Sequence, residues 1–406
     1  MPYLRLVITD LRKPSSAASL PRGAGWKHPV LGLGFRPFFL LAGLFGTFIV
    51  PLWLLVFAGK ITLPTHLWPT AWHAHEMVFG FSVAVLAGFL LTAVRNWTSQ
   101  PTPSGFPLAA LVALWLLGRV AVLFDGVIPH GLAAAVDLAF LPVLALALAR
   151  PIVKSKNWRN LAFVVLLLLL FGANLLFHVG PLSWTSRATK LGVDIIVLVI
   201  VVMGGRVIPS FTAGALGVEV RKRPLLDWAS LAAMAIVTAL ELVPDAERVA
   251  GVAAIVAGVL SAARMASWRS LATRKQPILW VLHVGYAWIA VGLVLQGLAV
   301  FIPQWMKTAP THALTVGAIG LLILGMTSRV SMGHTGRMLA VPPSMATAYG
   351  LLSLAALVRV AGPLVLPSAY LAELVLSGLL WAAAFGVFTV VYLPILTSPR
   401  VDGKPG

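Results

Sequence analysis

Nine histidines occur in a 406-residue chain that has no cysteine at all. The densest group is His73-x-His75-Glu76, at the mouth of a long apolar stretch. Without thiols, disulfides, thiolate copper sites, iron–sulfur clusters and covalent c-type haem are excluded. Imidazole is then the side chain left to ligate a transition metal, and it suits haem iron and both copper states. Ionisable and imidazole groups are expensive in hydrocarbon, so their presence inside apolar stretches marks functional positions.

The elements that must hold these groups are transmembrane helices. Hydrophobic residues make up 59% of the chain and charged ones 10%, outside the range of soluble domains. Apolar runs of about 20 residues recur near 36–58, 71–94, 107–124, 129–149, 160–179, 189–208, 225–243, 248–267, 278–302, 311–328, 344–361 and 369–396. The sequence therefore predicts an all-α, polytopic bundle of about twelve spans over 36–396. It is flanked by an N-terminal tail (1–35) and a C-terminal tail (397–406). The formal charge of +18 sits in short loops, with no basic helix or aromatic-interleaved patch, which argues against a nucleic-acid partner and makes the lipid bilayer the solvent. Of the 30 lysines and arginines, 23 fall on one side of this topology and seven on the other. The bias places both termini in the cytoplasm of a multi-pass inner-membrane protein. Arg5, Arg12, Lys13, Arg22 and Lys27 precede no short apolar core with a small-residue cleavage site, so a removable signal peptide is not expected.

On this topology the histidines form two layers. His73, His75, His178 and His312 come from three spans at one outer depth, joined by Asp194 from a fourth, the way a bundle builds a metal or cofactor site. His283 and His334 lie near the cytoplasmic side, level with Arg36, Arg206, Arg329 and Arg337. His312 and His334 are 22 residues apart, about 33 Å along a helix, too far to share one metal. Helical periodicity groups His73 with Glu76 and Gly80 on one face and turns His75 the other way. Asn174 and His178 share a face at i, i+4, as do Lys190 and Asp194. Gly204, Gly205 and Pro209 are read as a break in the sixth span. Arg206 beside them serves either as a positive-inside residue or, with Arg329 and Arg337, as an anchor for a carboxylate such as a haem propionate. Trp53, Trp72, Trp97, Trp184 and Trp381 are read as an aromatic belt at the membrane boundaries.

Four segments carry a family resemblance: Gly34-Phe35-Arg36-Pro37-Phe38-Phe39; Trp72-His73-Ala74-His75-Glu76-Met77 with Gly88-Phe89-Leu90-Leu91-Thr92-Ala93; Gly204-Gly205-Arg206-Val207-Ile208-Pro209-Ser210; and His312-Ala313-Leu314 with Gly325-Met326-Thr327-Ser328-Arg329-Val330 and Gly333-His334-Thr335-Gly336-Arg337. In order and spacing they resemble the NnrS family, bacterial membrane proteins associated with nitric oxide metabolism. Thr327-Ser328, where the family pattern has a bulkier first residue, departs from it without touching a candidate ligand. The resemblance implies twelve spans, an inner-membrane location, b-type haem and copper, and a part in nitrosative-stress resistance or denitrification.

Combined with that resemblance, the residues suggest His73 or His75 with His312 as axial or near-axial haem ligands. His178 and Glu76 would tune them or hold a second metal, with Asn174 and Asp194 nearby. Arg206, Arg329 and Arg337 would anchor propionates or a second cofactor near His283 and His334. Nitric oxide is the expected partner, and the residues point to no particular electron donor or reaction. Two other readings stay open: a transporter or chaperone for metal, haem or a small anion, and a sensor or scavenger that binds nitric oxide without turnover. Homology to haem-copper oxidases is disfavoured, because the sixth to eighth spans contain no histidine.

Overall fold

The structure, a computed structural model, describes residues 28–221, 223–302 and 308–404. Most of the segment read as the N-terminal tail lies outside the described residues, including Arg5, Arg12, Lys13, Arg22 and Lys27.

Twelve apolar helices run through the described residues: α1 (Phe35–Phe57), α2 (Pro69–Thr98), α3 (Phe106–Leu123), α4 (His130–Lys154), α5 (Leu161–Val179), α6 (Thr185–Leu216), α7 (Pro224–Leu240), α8 (Glu247–Ala266), α9 (Pro277–Phe301), α10 (Ala309–His334), α11 (Pro343–Val365) and α12 (Tyr370–Thr397). Eleven are long and apolar enough to cross a bilayer, and α7 is a shorter apolar helix. No strand occurs among the described residues. Proline opens α2, α7, α9 and α11, where its missing N–H costs no hydrogen bond and its fixed φ suits the first turn. Gly217 ends α6 in the left-handed region, at φ 63°, a conformation that favours glycine.

Burial sorts the helices into a centre and a rim. In the apolar window of α2, 83% of residues are buried, and α10 and α6 follow at 72% and 67%, against 33% for α3 and α8. The three central helices therefore carry His73, His75, Asp194 and His312. The rim helices present Leu117, Leu146, Val165 and Val390 outward, an apolar surface suited to lipid. Arg36, buried at the start of α1, donates from Nη1 to the carbonyls of Leu396 (2.9 Å) and Ser398 (2.7 Å). This joins the first helix to the last and sets both on one end of the bundle. The short C-terminal segment folds back there too: Arg400 donates to the His334 carbonyl at 2.8 Å, and the Val401 amide to the Thr335 carbonyl at 3.2 Å.

Three expectations change. α6 is continuous, with Pro209 inside it. Gly205 leaves space for the Arg264 guanidinium of α8, which donates to the Val201 carbonyl at 2.8 Å, and Gly204 lies against Tyr286. Those glycines are contact surfaces rather than a break. Trp53, Trp72 and Trp381 are buried instead of forming a boundary belt. Finally, α2 and α10 each contain a π-helical segment, Glu76–Ser82 and Ala313–Gly320, that begins immediately after a histidine. Such i→i+5 segments shift the angular register of a helix and recur at functional sites. The 3.6-residue periodicity read from sequence fails across them.

Candidate metal centre and adjoining hollow

The outer histidines divide between two neighbouring sites, and α2 feeds both. His75, at the last turn before the π segment, is fully buried. Its Nδ1 lies 3.1 Å from Glu76 Oε1, and its Nε2 lies 3.0 Å from Asn174 Oδ1 and 3.2 Å from Asp137 Oδ2. Asp137, on α4, collects further partners at the same carboxylate. Asn174 Nδ2 donates to Oδ2 at 2.7 Å, and His178 Nε2 lies 3.0 Å from it. Arg119 of α3 bridges the two acids, donating to Glu76 Oε1 at 2.6 Å and to Asp137 Oδ1. The i, i+4 spacing of Asn174 and His178 lets both reach one oxygen from α5. Gly80 is needed opposite them, since a Cβ there would stand 3.1 Å from Arg119 Nη1 and 3.2 Å from Glu76 Oε2.

In this cluster His75, Asp137 and His178 each offer a ligand atom within 4.8 Å of the others. Two imidazoles and a carboxylate from three helices form a donor set suited to a first-row transition metal. Glu76, Asn174 and Arg119 hold those donors in place, the orienting outer interactions that a metal site requires. Glu76 joins His75 and Arg119 rather than His73, contrary to the i, i+3 expectation.

His73 goes elsewhere. Its ring stacks on Trp53 of α1, with centroids 4.1 Å apart and planes 20° from parallel. With His312 of α10 and Arg359 of α11 it lines a hollow of about 400 Å³. Both π segments contribute to the wall, through Met77 and Val78 and through Thr315 and Val316. His312 Nδ1 lies 2.8 Å from the Thr308 carbonyl. A carbonyl only accepts, so Nδ1 carries the proton and Nε2 keeps the lone pair. Three buried nitrogens here have no hydrogen-bond partner: Nε1 of Trp53, Nδ1 of His73 and Nη1 of Arg359. The other terminal nitrogen of Arg359 donates to the Tyr370 hydroxyl at 3.2 Å.

The remaining sequence candidates are dispersed. Asp194 is buried on α6 and lines a separate cavity. Lys190 pairs with Glu241 at the end of α7 and not with Asp194 as its spacing suggested. His283 is held on both sides, Nε2 2.8 Å from Thr212 Oγ1 and Nδ1 2.9 Å from Ser270 Oγ. His334 packs against the Phe35 ring. Arg329 lies over Phe211, 3.7 Å from its centroid. Arg206 is exposed, and Arg337 keeps a buried Nη1 without a partner. Each of the lower-layer residues has its own surroundings, and the structure assembles no common donor set around His283 and His334 among the described residues.

Sequence reasoning passed over Arg119, Arg359 and Trp53 and gave Asp137 no place among the ligands. Arg119 and Arg359 had counted only toward the charge asymmetry, and Trp53 toward the aromatic belt. The usable signal was the intramembrane Asp137 itself, since an isolated acid in an apolar helix calls for a partner.

No curated protein matches this chain. The family model described as NnrS protein matches residues 29–400, nearly its whole length, and the chain therefore belongs to the NnrS family.

Proposed function

We propose that this protein is a haem- and copper-binding membrane protein of the nitric oxide response, with haem in the His73–His312 hollow and copper at the His75–Asp137–His178 cluster. The family is linked to the nitric oxide response. The observation that carries the reading is the hollow: imidazoles from two central helices line one cavity of about 400 Å³, beside a buried guanidinium nitrogen that lacks an acceptor.

The residues fit such a group. A His312 ring whose Nδ1 is tied to Thr308 presents Nε2 as a ligand nitrogen, the usual way a protein fixes a metal-binding imidazole. The open Nη1 of Arg359 suits a propionate, because a charge-assisted bond to a carboxylate is among the stronger hydrogen bonds available. Trp53 holds the His73 ring flat. Bound haem would supply an iron that takes a diatomic ligand, and copper a second one-electron centre. Asn174, Glu76 and Arg119 would orient the donors of the copper site. The charge asymmetry of the loops supports a periplasmic position for both sites. Arg206, Arg329, Arg337, His283 and His334 belong to the packing of the cytoplasmic end in this reading, and Arg36 to the closure of the helix ring.

The purified protein tests it. A Soret band with about stoichiometric iron is expected, lost or shifted in His73→Ala and in His312→Ala and unchanged in His130→Ala. Copper content is expected to fall in His178→Ala with the Soret band retained. Identical spectra in all variants, or protein free of iron and copper from well-supplied cells, would sink the assignment. Nitric oxide that shifts the band without being consumed identifies a sensor, and consumption identifies an enzyme or scavenger.

A further inference from the structure

Beside the hollow lies a carboxylate that neither site uses. Asp194 is wholly buried on α6, and neither Oδ1 nor Oδ2 has a hydrogen-bond partner. It lines a cavity of about 500 Å³ between α2, α6, α9 and α10. Every nearby charge is committed elsewhere or is negative. Lys190, one turn earlier on the same helix, pairs with Glu241 beyond α7. Arg187 faces Glu247 of α8 at 3.5 Å. α9 brings the Gln296 amide alongside, which is neutral. α2 and α10 contribute only uncharged residues to this wall, among them Thr70, Ala74 and Thr311.

An ionised carboxylate buried with no cationic partner, and only a neutral amide alongside, carries a penalty of several kcal/mol, and such groups neutralise instead. A metal cation would need about six or more oxygens converging at roughly 2.3–2.6 Å. A cavity this wide, with Asp194 as its single acid, does not bring that many oxygens to one point. A proton needs no such cage.

The position of the cavity gives that proton a use. It shares Thr70, Ala74, Ser186, Thr189 and Thr311 with the hollow. Through Lys190, Gln296 and Thr311 it adjoins a groove of about 250 Å³ that holds Arg187 and Glu247. We propose that Asp194 is a proton-loading carboxyl that takes its proton through this groove and holds it at the edge of the His73–His312 hollow. In loading, a hydronium ion entering through the groove loses one O–H bond and becomes water while one carboxylate oxygen gains that proton, and release reverses the step. No electron moves. The inference does not depend on what occupies the hollow.

Infrared spectroscopy of the protein in nanodiscs tests it without reference to haem or activity. At neutral pH the wild type is expected to show a carboxylic-acid C=O band that shifts in D2O, is missing in Asp194→Asn, and moves to a different frequency in Asp194→Glu. If the difference between wild type and D194N is instead a lost carboxylate stretch, Asp194 is ionised and the proposal fails. It fails too if sodium or potassium, against choline, raises the unfolding temperature of the wild type and not of D194N, because a metal cation then neutralises the site. Should D194N not fold, the D194E comparison carries the same outcomes.

Discussion

The two outer sites share one helix yet are built on opposite principles. Around Asp137, two acids, a guanidinium, an amide and two imidazoles drawn from α2, α3, α4 and α5 partner one another, with Arg119 Nε and His178 Nδ1 left over. Around His73 and His312 the chain supplies few polar partners and leaves His73 Nδ1 and Arg359 Nη1 without one. A filled network fixes its members in position and withstands loss of a ligand, whereas unfilled donors and acceptors next to a cavity mark where a partner from outside must bond. The difference separates a donor set that the chain itself orients from one that it leaves largely unengaged around a cavity.

The largest expected effect breaks the filled side. Asp137→Ala strands Arg119, Asn174 and His178 in the interior, and removing one partner of a buried charge network costs about 3–5 kcal/mol. Its thermal unfolding midpoint in detergent should fall sharply, and an unchanged midpoint would remove the contrast between the two sites. Arg359→Met sharpens the other side. One hydrogen bond, to Tyr370, is lost, while an unpartnered buried nitrogen is removed. Stability should change by no more than about 1 kcal/mol. Haem retention should weaken by roughly tenfold or more, the worth of one hydrogen bond to a charged group at about 1.5–3 kcal/mol. Competition with a haem-binding apoprotein measures it, and equal retention would free Arg359 from that role.

The smallest effect belongs to an exposed reference pair, Arg400 and Asp402, which lock the C-terminal segment beside the end of α10. Arg400 holds the Asp402 carboxyl well below the usual carboxylate range. The sign follows: a depressed acid contributes above its unfolded value and loses that contribution as pH falls through the folded one. The clasp should persist at neutral and mildly acidic pH and open only in strong acid. Asp402→Asn should speed proteolysis of the last residues at neutral pH and leave the midpoint of the bundle unchanged.

The twelve apolar stretches were legible from sequence because each helix satisfies its own backbone and reports itself through composition alone. The gathering of His73, His75, His178 and His312 toward one end of the bundle was legible too, since the order and length of the spans set depth. What was not legible was azimuth. His75 and His73 were separated correctly by ordinary periodicity, but Glu76 was assigned to the wrong companion, because its carboxylate is claimed by Arg119 from another helix. Arg119 and Arg359 read as boundary charges, and only tertiary packing aims one at Glu76 and Asp137 and the other at the hollow. Lys190 obeyed the local i, i+4 rule with Asp194 and was claimed by Glu241, distant in sequence.

The π segment Ala313–Gly320 acts as a rotational setting for everything on its outer side. Removing a single residue within it would restore ordinary helix and turn the preceding side chains by about 100°, the angle one residue occupies in a 3.6-residue turn. His312 would swing out of the hollow while the membrane-spanning length of α10 stayed almost the same. A length change of one amino acid at that point is therefore a far larger chemical change than most substitutions, and a chain lacking it would still insert and look like its relatives by hydropathy.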